Sequence, residues 1–297
     1  MSILTHPLSA HDAPIAAAMR AAAAPHKGKL RGIAARAPFD DLIGHTAPAA
    51  GVTYRADSVG GISGWWCIPP APKADVAVLH IHGGWFHWGS AQAFRTLVGH
   101  IALRAGAEAF VPDYRLAPEH PFPGGLVDVL ACFAGLRERG YGRIALTGDS
   151  AGGTLALALS GLMRPAATAV LSPVTDLTLS GTSWKTHGEA DFYFTRDQAE
   201  EMPRGYLAGR DPADPLVSPL FGDLTGLPPL CIHVGDQEML LDDSRRFAER
   251  ALAAGTDVAL EIWEGMPHGF TGAAGTLEAA DGALDSIGAF LTEKLAS

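Results

Sequence analysis

Three cysteines in 297 residues, Cys67, Cys132 and Cys231, are too few and too scattered for a disulfide framework or a zinc knuckle. Cys67 and Cys231 fall in apolar, strand-like runs, where a thiol behaves as a small buried hydrophobe. Positive charge is also short: 22 lysines and arginines face 32 acids, for a formal net charge of −10. Nucleic acids and anionic membranes call for a positive footprint, so neither is an expected partner. No basic segment leading into an apolar one opens the chain, and no apolar run approaches the roughly 20 residues that cross a bilayer. A cytoplasmic protein is the expectation. Internal repeats, long charge runs and linker-like stretches are missing as well. With 47% hydrophobic and 18% charged residues, the composition is that of a globular chain.

The order of hydrophobic runs and breakers carries the organisation. Residues 1 to about 50 are alanine-rich, with a helical stretch that starts near Pro14 and passes Arg20 and Ala24. Pro25 ends it, because proline has no N–H to offer the helical ladder. From about Gly51, short β-rich runs are separated by Gly and Pro. Residues 62–68 fit an early antiparallel strand and residues 76–81 a buried one. Strand patterns at 109–111, 144–147, 169–171, 230–234 and 258–262 then alternate with helical stretches, among them 152–163 and a last one from about 277 to 294. Unbroken apolar strands between helices predict an α/β fold, a mostly parallel sheet covered on both faces. Functional groups in such sheets collect at the carboxyl ends of the strands. Residues from roughly 177 to 214 break the rhythm. Lacking a clear strand, they read as an insertion over the top of the sheet.

Gly148-Asp149-Ser150-Ala151-Gly152 matches G-x-S-x-G. With 35 glycines and 14 serines, composition alone yields such a string about once in five chains, so its setting is what counts. An apolar strand precedes it and a helix follows, the arrangement of a nucleophile elbow. The glycines permit a sharp turn, and the helix N-terminus favours negative charge developing near Ser150. A glycine-rich helix start without chemistry would have the same string, so a base is the next requirement.

A serine hydroxyl is a poor nucleophile until a base takes its proton. In this architecture the chain order is Ser, carboxylate, His. Of the 12 histidines only His187, His233 and His268 follow Ser150. His187 falls in the insertion, and His233 lies inside an apolar strand, where a buried structural role suits it. His268 sits in Met266-Pro267-His268-Gly269-Phe270, just after the strand at 258–262, with room for an acid before it. The acid holds the imidazole in the right tautomer. Asp236 and Glu238, both after the strand at 230–234, qualify equally on these grounds. Asp242 and Asp243 read as acids that complement the N-terminus of the next helix. His82-Gly83-Gly84-Trp85 follows the strand at 76–81. The N–H groups of Gly83 and Gly84, with that of Ala151, are candidate donors of an oxyanion hole.

Together these residues resemble the bacterial hormone-sensitive-lipase family of α/β-hydrolases, over nearly the whole chain. The likeness rests on His82-Gly83-Gly84 with Gly89, the run from Asp113-Tyr114-Arg115-Leu116-Ala117-Pro118-Glu119-His120 to Pro121-Phe122-Pro123, and Gly148-Asp149-Ser150-Ala151-Gly152-Gly153. Ser172-Pro173, Leu227-Pro228-Pro229 and His268-Gly269-Phe270 complete it. The run from Tyr114 to Pro123 is a structural turn beside the site in that family. The resemblance implies an α/β-hydrolase fold with a helical cap built from residues 1–50 and about 177–215, on a catalytic domain spanning 51–297. It selects Glu238 as the acid, since Glu238-Met239-Leu240-Leu241-Asp242 keeps the family's carboxylate, leucine and aspartate spacing, although the family usually has Asp there. It implies a catalytic triad of Ser150, Glu238 and His268 in a serine carboxylesterase that cleaves short-chain esters through an acyl-enzyme. A small ester is the expected partner, no cofactor is needed, and a homodimer through the sheet edge is implied. Trp85 stands where the family commonly has glycine or alanine, so it becomes a substrate-binding candidate. Trp184, Phe192, Tyr193, Phe194 and Tyr206 are further pocket-lining candidates.

Other functions can be weighed against this one. The same triad would serve an amidase or deacetylase. A ligand-binding relative without catalysis would have lost the histidine, whereas here all three positions are filled. His80, His82 and His87 lie close in sequence, but no H-E-x-x-H helix accompanies them, so no metal is expected.

Overall fold

The computed structural model describes residues 2–296. The chain runs β1 (Ser2–His6), α1 (Asp12–Ala23), α2 (Arg36–Ile43), β2 (Thr53–Val59), β3 (Ile62–Ile68), β4 (Val76–Ile81), α3 (Ala91–Ala105), β5 (Glu108–Pro112) and α4 (Gly124–Glu138). It continues through β6 (Arg143–Asp149), α5 (Ser150–Met163), β7 (Thr168–Leu171), α6 (Ser183–Thr186), α7 (Arg196–Glu201) and α8 (Pro203–Leu207). β8 (Leu230–Gly235), α9 (Leu241–Ala253), β9 (Val258–Trp263) and α10 (Glu278–Ala296) complete it.

All nine strands form one sheet in the order β1-β9-β8-β7-β6-β4-β5-β3-β2. Its pairings are parallel except for β2 with β3 and β3 with β5. Every residue of β4, β7 and β8 is buried, which explains why those segments are apolar without alternation. α3 and α10 pack on one face, α4, α5 and α9 on the other. α5 lies deep between the sheet and its neighbours, so its Ala and Leu side chains are buried all round from Ser150 to Ser160. Helix ends follow local chemistry: Ser90 accepts from the Ala93 N–H at the start of α3, and Gly106 closes that helix at φ +62°.

One finding goes beyond the sequence reading. Residues 1 to about 50 read as an alanine-rich segment with a helix, and the structure adds a strand to it: β1 lies parallel to β9, with Leu4 opposite Glu261 and His6 opposite Trp263. His6 holds this edge in place through a 2.8 Å bond to Glu261 and a stack on Trp263 at 3.7 Å. The N-terminal segment and the insertion, the two parts of the implied cap, lie against each other. Lys27 Nζ donates to the carbonyls of Gly188 and Asp191, the Gly28 N–H to Tyr193 O, and Gln198 Nε2 to Leu30 O. The insertion itself carries α6, α7 and α8 and no strand. No helix among the described residues is long and apolar enough to cross a membrane.

Candidate active site

The site forms where β4, β6, β7, β8 and β9 end. Ser150 follows β6 directly and opens α5, with its backbone in the left-handed region at φ +53° and 4% of its surface exposed. A serine in that region is strained by about 1–3 kcal/mol, which the surrounding structure must hold. The turn closes only because its flanks are bare. A Cβ on Gly148 would lie 2.6 Å from Gly152 O, and one on Gly152 would lie 2.0 Å from Ile81 O.

His268 comes from the loop after β9, and its Nδ1 lies 2.7 Å from Glu238 Oε2. Glu238 is wholly buried in the loop between β8 and α9. Its other oxygen, Oε1, accepts from Ser172 Oγ and from the Gly235 N–H, both at 2.7 Å. A buried carboxylate tolerates its charge when its oxygens are met this fully. Asp236 turns elsewhere: its Oδ1 accepts from the Gly265 N–H and from Gln237 Nε2. Burial presses the His268 imidazolium down, but the charge and hydrogen bond of Glu238, helped by Asp191 and Asp149, outweigh it and leave the pKa above 6.5.

The loop after β4 departs from expectation at one position. The Gly83 N–H donates to Asp149 Oδ1 at 3.0 Å, so it is already engaged and is not available to an oxyanion. The carboxylate within the elbow motif thus pins the loop to the turn that carries Ser150. Beyond it the backbone runs left-handed through Gly84, Trp85 and Phe86, at φ +116°, +55° and +64°. Among the described residues, the N–H groups of Gly84 and Trp85 have no acceptor. The Ala151 N–H lies in the first turn of α5, where the helix provides no acceptor. Of the three expected donors, Gly84 and Ala151 remain without an acceptor, and Trp85 adds a further unengaged N–H beside them.

Trp85 is 2% exposed and meets Phe194 edge-on at 5.5 Å and Trp184 at 6.5 Å. Phe194 in turn stands edge-on to His268 at 5.4 Å. Of the five insertion aromatics, Phe194 is the one in contact with His268. Phe192 lies under Arg20, Tyr206 stacks on Phe86 at 3.7 Å, and Trp184 donates its indole N–H to Asp243. Asp243 is more than a helix-start acid. Buried, it also accepts from the Thr175 and Asp176 N–H groups and ties the insertion to α9.

His80, His82 and His233 hold structure. His80 Nδ1 bonds Thr147 Oγ1, and His82 bonds Gly83 O and stacks on Tyr114. Burial pushes His82 and His233 down to about 4, so both are neutral at pH 7. One group absent from the sequence reading, Cys231, His233 and Glu261, brings potential metal-binding atoms within 4.8 Å of one another. Both nitrogens of His233 are engaged, however. Nδ1 accepts from Trp263 Nε1 and Nε2 faces Cys231 Sγ, each at 3.2 Å. This is a satisfied core network beneath β1.

Residues 78–272 match a protein family described by its alpha/beta hydrolase fold, and the chain belongs to that family. It is 39% identical over 242 residues to an acetyl-hydrolase of Streptomyces hygroscopicus, spanning 79% of this chain and 81% of the relative. It is 37% identical over 207 residues to an esterase of Acinetobacter venetianus, spanning 67% and 68%. A crystal structure of an esterase from the bacterial hormone-sensitive lipase family shares 35% identity and a TM-score of 0.89, over 97% of this chain and 99% of the other. Within the α/β-hydrolases, then, this chain is a member of the bacterial hormone-sensitive-lipase group.

Proposed function

We infer that the protein is a serine carboxylesterase for short-chain esters, with Ser150 as nucleophile, His268 as base and Glu238 as the acid that orients it. One observation carries the assignment: the 2.7 Å bond from Glu238 to His268 Nδ1, on a carboxylate saturated on its other side by Ser172 and Gly235. That bond keeps the proton on Nδ1 and leaves Nε2 free to accept. The Ser150 hydroxyl attacks the ester carbonyl while its proton passes to His268. The carbonyl oxygen becomes an anion, met by the N–H groups of Gly84, Trp85 and Ala151. His268 returns the proton to the leaving alcohol, and an acyl-Ser150 ester remains. Water then attacks that ester, losing its proton to His268, and the acid departs as Ser150 recovers its hydrogen.

The segment after β1, to about residue 50, and residues from about 177 to 215 act together as a cap in this reading, since they bond to each other and Phe194 of the insertion stands against His268. Trp85, Phe194 and Trp184 crowd the space beneath it, which favours small acyl groups. The acetyl-hydrolase relative points the same way. A homodimer would form along β1, the edge strand, where Ile3 and Leu4 are exposed. The test is labelling by an organophosphate, which should modify Ser150 stoichiometrically. A folded Ser150→Ala variant should lose nearly all activity on p-nitrophenyl acetate. Full activity in that variant would end the assignment.

A further inference from the structure

Asp191 lies in the insertion, outside the triad and far from it in sequence, and it is buried at 3% exposure. One of its oxygens, Oδ1, accepts from the N–H groups of Tyr193 and Phe194, at 3.0 and 2.9 Å. That closes the turn which sets the Phe194 ring edge-on to His268. The other oxygen, Oδ2, accepts from the Met239 N–H at 3.2 Å. Met239 follows Glu238 directly, in the loop whose Gly235 N–H also holds the Glu238 carboxylate. The same turn is gripped from outside by Lys27 Nζ on the Asp191 carbonyl and by the Gly28 N–H on Tyr193 O. One carboxylate therefore joins the insertion, the aromatic ring on the base and the backbone of the acid.

Resting on the esterase reading above, we propose that Asp191 is a positioning residue: it locks the turn that seats Phe194 against His268 to the loop that carries Glu238, so that the cap sets the triad's geometry. Three carboxylates act on the charge of the imidazole, from three different elements: Glu238 from the β8–α9 loop, Asp191 from the insertion and Asp149 from the elbow. Asp191 is the one of the three that the insertion carries, and its charge makes His268 more basic. Burial raises the carboxyl of Asp191 above the usual range, and its backbone donors and the charge of His268 offset only part of that rise.

The experiment uses the full chain with Asp191→Asn and Asp191→Ser, and Phe194→Leu as the packing control. Asn keeps an oxygen for the Tyr193 and Phe194 N–H groups but turns an NH₂ on the Met239 N–H and removes the charge. Both Asp191 variants should lose about tenfold in kcat on p-nitrophenyl acetate. Their acid limb of kcat/KM should move to lower pH by about half a unit or more, because removing a negative charge lowers the pKa of His268. Phe194→Leu should raise KM and leave the acid limb in place. Each protein is first titrated with an organophosphate. Failure of the wild type to label would sink the serine-esterase reading itself. A labelled wild type with an unmoved acid limb in both Asp191 variants would overturn only the role given to Asp191. Loss of folding in both variants, seen by circular dichroism, would make Asp191 a stability residue and overturn it as well.

Discussion

Replacing Glu238 by Gln tests the triad at its most constrained atom. The side chain keeps its size, and its carbonyl oxygen can still accept from Ser172 Oγ and the Gly235 N–H, the two bonds now made by Oε1. That choice points the new NH₂ group at His268 Nδ1, 2.7 Å from the present Oε2. A donor facing Nδ1 forces that nitrogen to accept, so the ring proton moves to Nε2. The tautomer is then wrong for taking a proton from Ser150, and the carboxylate that stabilised the imidazolium is gone. Neutralising a triad carboxylate in this way lowers kcat by about 10⁴, which is roughly 5 kcal/mol of lost transition-state stabilisation. The assay is p-nitrophenyl acetate hydrolysis, with organophosphate titration to count functional sites and thermal melting to confirm folding. Asp236→Asn is the control. Its carboxylate bonds Gly265 and Gln237, so the loss should stay within about tenfold, the rate equivalent of one net hydrogen bond. A folded Glu238→Gln enzyme with more than a tenth of wild-type kcat, or a larger loss in Asp236→Asn, would refute the reasoning.

Other outcomes follow from the same geometry. The base must be neutral, and the pKa of His268 is raised, so kcat/KM should fall as pH drops through a value above 6.5; a rate profile flat down to pH 4 would count against His268. Trp85→Gly should raise the rate on tert-butyl acetate relative to that on ethyl acetate by about tenfold over wild type, for about 1.4 kcal/mol of relieved clash. Equal rate losses on both esters with a lower melting temperature would instead make Trp85 plain core, since truncating a buried Trp costs about 3–5 kcal/mol. Gly152→Ala should not yield a stable fold, because its Cβ would sit 2.0 Å from Ile81 O; a wild-type melting curve would contradict that packing. Chelation by EDTA should leave the rate unchanged, and inhibition reversed by added zinc would reopen a metal mechanism.

Much of this molecule was legible in the order of its residues. Burial on both faces of a parallel sheet demands unbroken apolar strands, so β4, β6, β7, β8 and β9 were visible as short hydrophobic runs between helices. The elbow was legible because strand, bare turn and helix are contiguous, and every steric demand on Gly148 and Gly152 acts locally. His268 emerged from its place after a strand end. The acid was different: Asp236 and Glu238 are two residues apart on one loop, and chemistry alone could not part them without the family's spacing. Only tertiary contacts show that one carboxylate meets His268 and the other meets Gly265.

The rest depended on chain segments that are distant in sequence. β1 has five residues and no repeating pattern, and it becomes a strand because β9 offers an edge and His6 finds Glu261 and Trp263. Gly83 looked like an oxyanion donor because a glycine after a strand exposes its N–H, but Asp149, 66 residues later, takes that hydrogen. Asp191 carries no local motif that would mark it, and Ser172 is marked only as part of the family's Ser-Pro pair; their contacts arise when the loop after β8 meets the loop after β7 and the insertion. Hydrophobic periodicity is a local property that the chain carries with it. Which donor faces which acceptor is settled by the packing of remote segments, and in this protein that packing brings Glu238 to His268 and Asp149 to the Gly83 N–H.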